Sequence, residues 1–254
     1  MSVQSFWMAT AAILAAVCPA LAGETPKPVR MHLYGGHSDG AYDFRAALET
    51  VAKLVQANAP EAFDGHLFMT QDVKTLPGLD EIGKADLVVG FIRRLQVGPE
   101  NVAKFKAYLD GGKPLVGLRT ACHGFEDWKG LDRDLFHCAY SGHAGPMTTR
   151  AVAVAKDHPI LRGISDFELA KHSPYRLKLT GDATLLLNGE SKAGTMPLAW
   201  TTLYGERKAR VFFGSFGSPE DLANPNVRRM IVQAVFWALD RPAPEKVETK
   251  LPGE

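Results

Sequence analysis

The segment from Asp86 to His123 constrains the fold more than any other part of the chain. Asp86–Phe91 (Asp-Leu-Val-Val-Gly-Phe) is apolar almost throughout, as a strand covered on both faces must be. Pro99 then opens a helix at its first turn, with Val102, Phe105 and Leu109 as the inward stripe and Gly111 as the stop. Pro114–Leu118 is a second short buried strand. It runs into Arg119-Thr120-Ala121-Cys122-His123, an abrupt turn carrying a cation and an imidazole. A strand, a crossover helix and a further buried strand form a parallel unit.

The same rhythm extends toward the N-terminus. Val29–Tyr34 reads as a strand entering a Gly35-Gly36 turn. Ser38 or Asp39 caps a helix in which Phe44, Leu48, Val51 and Val55 recur at helical spacing. Phe63–Met69 reads as a strand, and Leu76, Leu79 and Ile82 as a short helix or turn. Residues 124–148 lack periodicity, and a connection of that length inside a compact domain is usually functional. Short strands are expected at Val152–Ala155, Ala183–Leu187, Leu198–Thr202 and Arg210–Gly214, the last two joined by a hairpin through Gly205. A closing helix spans about Asn226 to Asp240, and a frayed tail is expected over 242–254. The pattern implies one α/β domain, 28–241, built on a doubly wound, mostly parallel sheet.

The chain has 254 residues, 46% hydrophobic and 22% charged, with a formal net charge of +1. That balance offers no electrostatic case for nucleic acid. Phe6–Val17 is too short for a confident membrane span. It ends in Ala20-Leu21-Ala22, a small-x-small cleavage pattern, so residues 1–22 read as an export leader, cleaved or retained as an anchor. The mature protein is then expected in the periplasm or secreted, with no other membrane association. Cys122 and Cys138 would remain, either bridged or as two buried thiols. A homo-oligomer stays open.

In an open α/β sheet, ligands bind beyond the carboxyl ends of the strands. That edge is expected to present Gly36 and His37, then Arg93 and Arg94, then Arg119 to His123, then Ser215 to Ser218. Arg119 supplies a guanidinium for an oxygen-rich or anionic group, unless it is tied structurally to Glu126 or Asp127. His123 reads as an acid/base group, a metal ligand or a packed loop residue. His143 sits among small residues in Tyr140-Ser141-Gly142-His143-Ala144-Gly145-Pro146. His137 and His158 are weaker candidates, and His172 could face the cleft from the far side. Asp39, Asp43, Glu126 and Asp127 are the available carboxylates; Trp128 and Tyr140 are the available stacking surfaces. Walker, G-x-G-x-x-G, H-E-x-x-H and G-x-S-x-G patterns do not occur. The histidine spacing does not define a metal site, although one divalent metal remains open.

These blocks together resemble the trehalose-utilisation (ThuA-like) family, within the class I glutamine amidotransferase-like superfamily. The resemblance covers roughly residues 28–241. It rests on Tyr-Gly-Gly-His-Ser (34–38), Gly-Gly-Lys-Pro-Leu-Val-Gly-Leu-Arg-Thr-Ala (111–121), Ser-Gly-His-Ala-Gly-Pro (141–146), His158-Pro159-Ile160, Pro197-Leu198-Ala199-Trp200, Phe212 to Gly217, and Asn224 to Arg229 continuing to Trp237-Ala238. It implies a flavodoxin-like three-layer α/β/α sandwich. It also implies that Arg119 stands where amidotransferases carry a nucleophilic Cys, so that glutamine hydrolysis by that route is not expected. The resulting expectation is an exported enzyme, a hydrolase or isomerase acting on a sugar or glycoside such as a trehalose-type disaccharide or an oxidised sugar derivative. Arg119, His123 and His143 would be catalytic, and Gly36, His37, Arg93, Glu126, Tyr140 and Ser215 would bind substrate. The alternative is a non-catalytic sugar-binding or scaffold protein derived from an amidotransferase-like fold.

Overall fold

The computed structural model describes residues 27–37, 42–59 and 62–254. The expected leader, and Ser38 and Asp39 as helix caps, lie outside them.

The first half alternates as its pattern demands. It runs β1 (Val29–Gly36), α1 (Phe44–Asn58), β2 (Phe63–Met69), β3 (Leu87–Ile92), α2 (Pro99–Asp110) and β4 (Leu115–Leu118). Leu79–Lys84 forms a short 3-10 turn, as does Arg119–His123. The second half is richer in strands: α3 (Leu131–Asp134), β5 (Cys138–His143), β6 (Met147–Ala153), β7 (Phe167–His172), β8 (Tyr175–Leu179), β9 (Thr184–Ser191), β10 (Gly194–Tyr204) and β11 (Ala209–Gly214). Helices α4 (Pro219–Ala223) and α5 (Pro225–Ala238) follow.

One nine-stranded sheet has the order β2-β1-β3-β4-β11-β10-β9-β6-β7. Strands β2, β1, β3, β4 and β11 are mutually parallel, and the pairings from β11 through β10, β9 and β6 to β7 are antiparallel. The three-layer sandwich expected from sequence is present, with its parallel half extended by an antiparallel wing. In that wing β10 contains Pro197, which cannot donate to a ladder, and its register against β9 shifts between Pro197 and Ala199.

Period-two alternation assigns each strand residue to a layer. Met31, Leu33, Leu87, Val89, Phe91, Val116, Leu118 and Phe212 face α1 and α5 in one core. Tyr34, Val88, Leu115, Val211 and Phe213 face α2 and the 3-10 turn in the other. Asp43 caps α1, its Oδ1 accepting from the Ala46 amide at 2.9 Å.

Strands β5 and β8 pair into a separate two-stranded ribbon, for which the sequence carries no local signal. The ribbon lies over the second core and is anchored through the residues that lead into it. Trp200 Nε1 donates to the Phe136 carbonyl at 2.7 Å, and Thr202 Oγ1 to the Leu135 carbonyl at 3.0 Å. Strand β6 begins five residues earlier than expected. Its exposed Thr148 and Arg150 alternate with buried Thr149, Ala151 and Ala153, a run of small and polar residues with no apolar signature. Cys122 and Cys138 are unbridged and buried.

The segment expected to fray is docked instead. Val247 is buried, Asn58 bonds the backbone of Glu248, and Arg228 forms a forked pair with Glu254 at 2.5 and 2.9 Å. Its Pro and charged composition conceals these few anchors. No helix among the described residues is long and apolar enough to cross a membrane.

Candidate functional site

The parallel strands deliver their carboxyl ends to one edge. There β4 turns sharply at Arg119, whose φ of 47° lies in the left-handed region. For a non-glycine residue this conformation costs about 1–2 kcal/mol, and it persists only where surroundings enforce it. The surroundings are specific. Arg119 Nη1 donates to the Ser173 carbonyl at 2.9 Å and to the Ser215 carbonyl at 2.8 Å, and Nε to the Tyr42 hydroxyl at 3.3 Å. The guanidinium stacks over Tyr175, 4.4 Å from the ring centroid. Gly217 permits this packing, because a Cβ there would lie 3.1 Å from Arg119 Cβ and 2.9 Å from the Phe91 ring.

Burial opposes the charge on Arg119, yet Tyr175, Tyr42 and Asp221 hold its pKa above the ordinary value. The structural ion pairs considered from sequence do not form. Glu126 pairs with Arg94 at 2.5 Å, and Asp127 accepts from the Gly98 amide at 2.8 Å.

Two adjoining hollows open at this edge. One, of about 440 Å³, is lined by Tyr42, Asp43, Arg93, Arg119, His143, Lys171, Ser173 and the start of α4. The other, of about 360 Å³, is lined by Tyr42, Arg93, Arg94, His123, Tyr140, Ser141, Gly142, His143 and Tyr175. Tyr42, Arg93 and His143 belong to both, so they form the saddle of one polar cleft. The β5–β8 ribbon supplies its far wall.

The histidines have different environments. His143 is exposed, and its Nδ1 lies 2.9 Å from the Ala144 carbonyl. That contact requires Nδ1 to carry a proton, so in the neutral ring Nε2 is the acceptor. His123 is half-buried and stacked on Tyr140, with ring centroids 4.5 Å apart. Burial, then Arg94, Arg93, Arg119 and His143, pushes its pKa down to about 3, so it is neutral at ordinary pH.

Beneath the cleft lies a Ser–His–Asp chain. His172 Nδ1 is 3.1 Å from Asp221 Oδ1, and Ser215 Oγ is 3.4 Å from His172 Nε2. Burial opposes ionisation of Asp221, but His172, Arg119 and the Gly217 amide outweigh it and hold the carboxyl below its usual range. Ser215 and His172 are fully buried, so this trio cannot present a nucleophile to a substrate. It fixes the ends of β7 and β11, whose following carbonyls grip Arg119.

Several expected site residues therefore sit elsewhere. Gly36 does not line the cleft; a Cβ there would collide with the Thr70 carbonyl, so its role is close backbone packing. His37 is absent from both linings, and its Nδ1 is buried without a hydrogen-bond partner among the described residues. Glu126 lines a neighbouring depression. Ser215 contributes its carbonyl and not its side chain. Trp128 is buried and lines that depression rather than the cleft. His137 pairs with Asp182 away from the cleft, so it does not converge with His123 and His143. Among the described residues no group of three or more His, Cys, Asp or Glu side chains comes together to hold a metal ion.

Sequence reasoning missed Tyr42, Ser173 and Tyr175. The Lys171–Tyr175 stretch carries a signal, a polar run broken by Pro174, but placing it requires knowing that β8 pairs with β5.

The comparisons with known proteins agree with this architecture. No curated protein matches the chain. A ThuA-like protein from Parabacteroides merdae is 19% identical with a TM-score of 0.68, covering 87% of this chain and 93% of its own. A ThuA-like protein from Bacteroides uniformis is 16% identical with a TM-score of 0.67, covering 87% and 95%. The glutaminase domain of Trypanosoma brucei CTPS shares the fold at 11% identity and a TM-score of 0.51, covering 88% and 97%. The ThuA profile, described as trehalose utilisation, matches residues 36–238, and the chain belongs to that family.

Proposed function

We propose that this chain is an exported enzyme of trehalose-related sugar utilisation that acts on a disaccharide, glycoside or oxidised sugar within the Arg119 cleft. The observation that carries the reading is the first hollow, which a buried, backbone-gripped guanidinium and the His143 imidazole line together. Arg119 donates charge-assisted hydrogen bonds to a sugar oxygen and stabilises negative charge that develops on it. His143, with Nε2 as the acceptor, removes a proton from a hydroxyl, a water or a carbon next to a carbonyl. His123, held neutral, serves as a hydrogen-bonding wall and not as the acid. Hydrolysis and isomerisation both fit this pair. Export is supported by the Phe6–Val17 apolar run and Ala20-Leu21-Ala22.

One observation favours a binding-only protein: the Ser–His–Asp chain is sealed beneath the cleft. Turnover separates the two. A panel of neutral and oxidised disaccharides, followed by product NMR, should show conversion by the wild type. His143→Gln should lose conversion by about two orders of magnitude or more while still binding. Binding without turnover by the wild type would favour the binding-only reading.

A further inference from the structure

The second hollow has a composition that a neutral sugar does not require. Among the described residues that line it, none carries a carboxylate, whereas Arg93, Arg94, His123 and His143 all face it. Glu126 balances Arg94 from outside this lining. Asp43, Glu220 and Asp221 line the neighbouring hollow only. The wall also holds Tyr175, which is 1% exposed and whose hydroxyl has no hydrogen-bond partner among the described residues. An orphaned buried hydroxyl is unfavourable unless something completes it. The Tyr175 ring, which lines this hollow, lies under the Arg119 guanidinium, which lines its neighbour. The low pKa of His123, to which all three arginines contribute after burial, reports the same positive field.

We infer that this hollow is an oxyanion subsite, and that the sugar taken by the cleft carries an anionic oxygen group, a carboxylate or a phosphate, which Arg93 and the Tyr175 hydroxyl receive. The inference rests on the sugar-cleft reading and narrows it. Tyr175 and Tyr42 donate hydroxyl hydrogens, Arg93 and Arg94 donate N–H groups, and the sugar ring extends over the saddle toward Arg119.

The test is calorimetric titration of the wild-type protein with glucose, trehalose, glucuronate and glucose 6-phosphate at low and high salt. At least one anionic sugar should bind about ten-fold or more tighter than glucose, with a preference that shrinks as salt rises. Tighter glucuronate assigns a carboxylate, and tighter glucose 6-phosphate assigns a phosphate. The anionic-to-neutral affinity ratio should fall several-fold in Tyr175→Phe, which keeps the ring under Arg119, and in Arg93→Gln. A ratio near one in the wild type overturns the anion subsite while leaving the sugar cleft standing. A ratio unmoved in both variants also overturns it. Failure of glucose, trehalose and both anionic sugars to bind removes the cleft reading together with the subsite.

Discussion

Arg119 Nη1 donates to the Ser215 carbonyl oxygen at 2.8 Å, so the cation at the end of β4 is held by backbone just beyond β11, the neighbouring parallel strand. The Ser173 carbonyl, on the connection between β7 and β8, grips the same nitrogen. The guanidinium thus joins the parallel half of the sheet to the ribbon that walls the cleft.

Replacing Arg119 with Ala should cost about 1–3 kcal/mol of stability, because two carbonyls lose their donor, and Ala gains no relief of the left-handed backbone. Urea unfolding checks the cost, and an unchanged far-UV spectrum checks that the fold survives.

Asp221 has more partners than its size suggests. It accepts from His172 and from the Gly217 and Ser218 amides, and with Ser218 it forms the capping box of α4. Asp221→Ala should destabilise the chain by about 2–4 kcal/mol, combining a lost cap with stranded buried donors. Ser218→Ala, which removes only the cap, should cost about 1 kcal/mol. Denaturant midpoints for the pair measure the difference.

Stability should fall on mild acidification. His32 is buried, and burial, then His66 and Arg30, lowers its pKa from 6.5 to about 4. The folded state therefore refuses a proton that the unfolded chain accepts below 6.5. The contribution is present above that value and is lost as pH falls from 6.5 toward 4. For His32 alone the loss between pH 7 and pH 5 is about 1–2 kcal/mol. His123 adds to it in the same direction. His32→Asn should flatten the slope of unfolding free energy against pH; an unchanged slope would exclude His32 as a source.

Removing residues 246–254 should lower stability, since Val247 alone buries side-chain area worth about 1.5–3 kcal/mol. Limited proteolysis of the full chain should leave the tail uncut under conditions that cleave exposed loops. Early loss of the tail with no change in thermal midpoint would show that these contacts are not held in solution.

The parallel half was legible because buried strands and amphipathic helices write their periods directly into sequence, as Leu87–Ile92 and Val102/Phe105/Leu109 show. The edge carrying Arg93, Arg119 and His123 followed from the topology rule alone. The ribbon was not legible. Cys138–His143 and Tyr175–Leu179 are short and polar, and they pair across a long intervening stretch that includes β6 and β7, so neither strand has a local signature. Tyr175 was missed for that reason, and Ser215, expected to bind substrate, instead holds Arg119 through its backbone carbonyl. Gly36 was read as approaching a ligand when it approaches Thr70. A tight glycine contact looks the same in sequence whichever partner it serves.

The most direct test of the Arg119 cleft is saturation-transfer NMR with trehalose and its oxidised and acidic sugar relatives, comparing wild type with Arg119→Ala under conditions where both are folded. The account predicts transfer to at least one of these sugars in the wild type, and its loss in the variant. Equal transfer in both proteins, or none in the wild type, would contradict it.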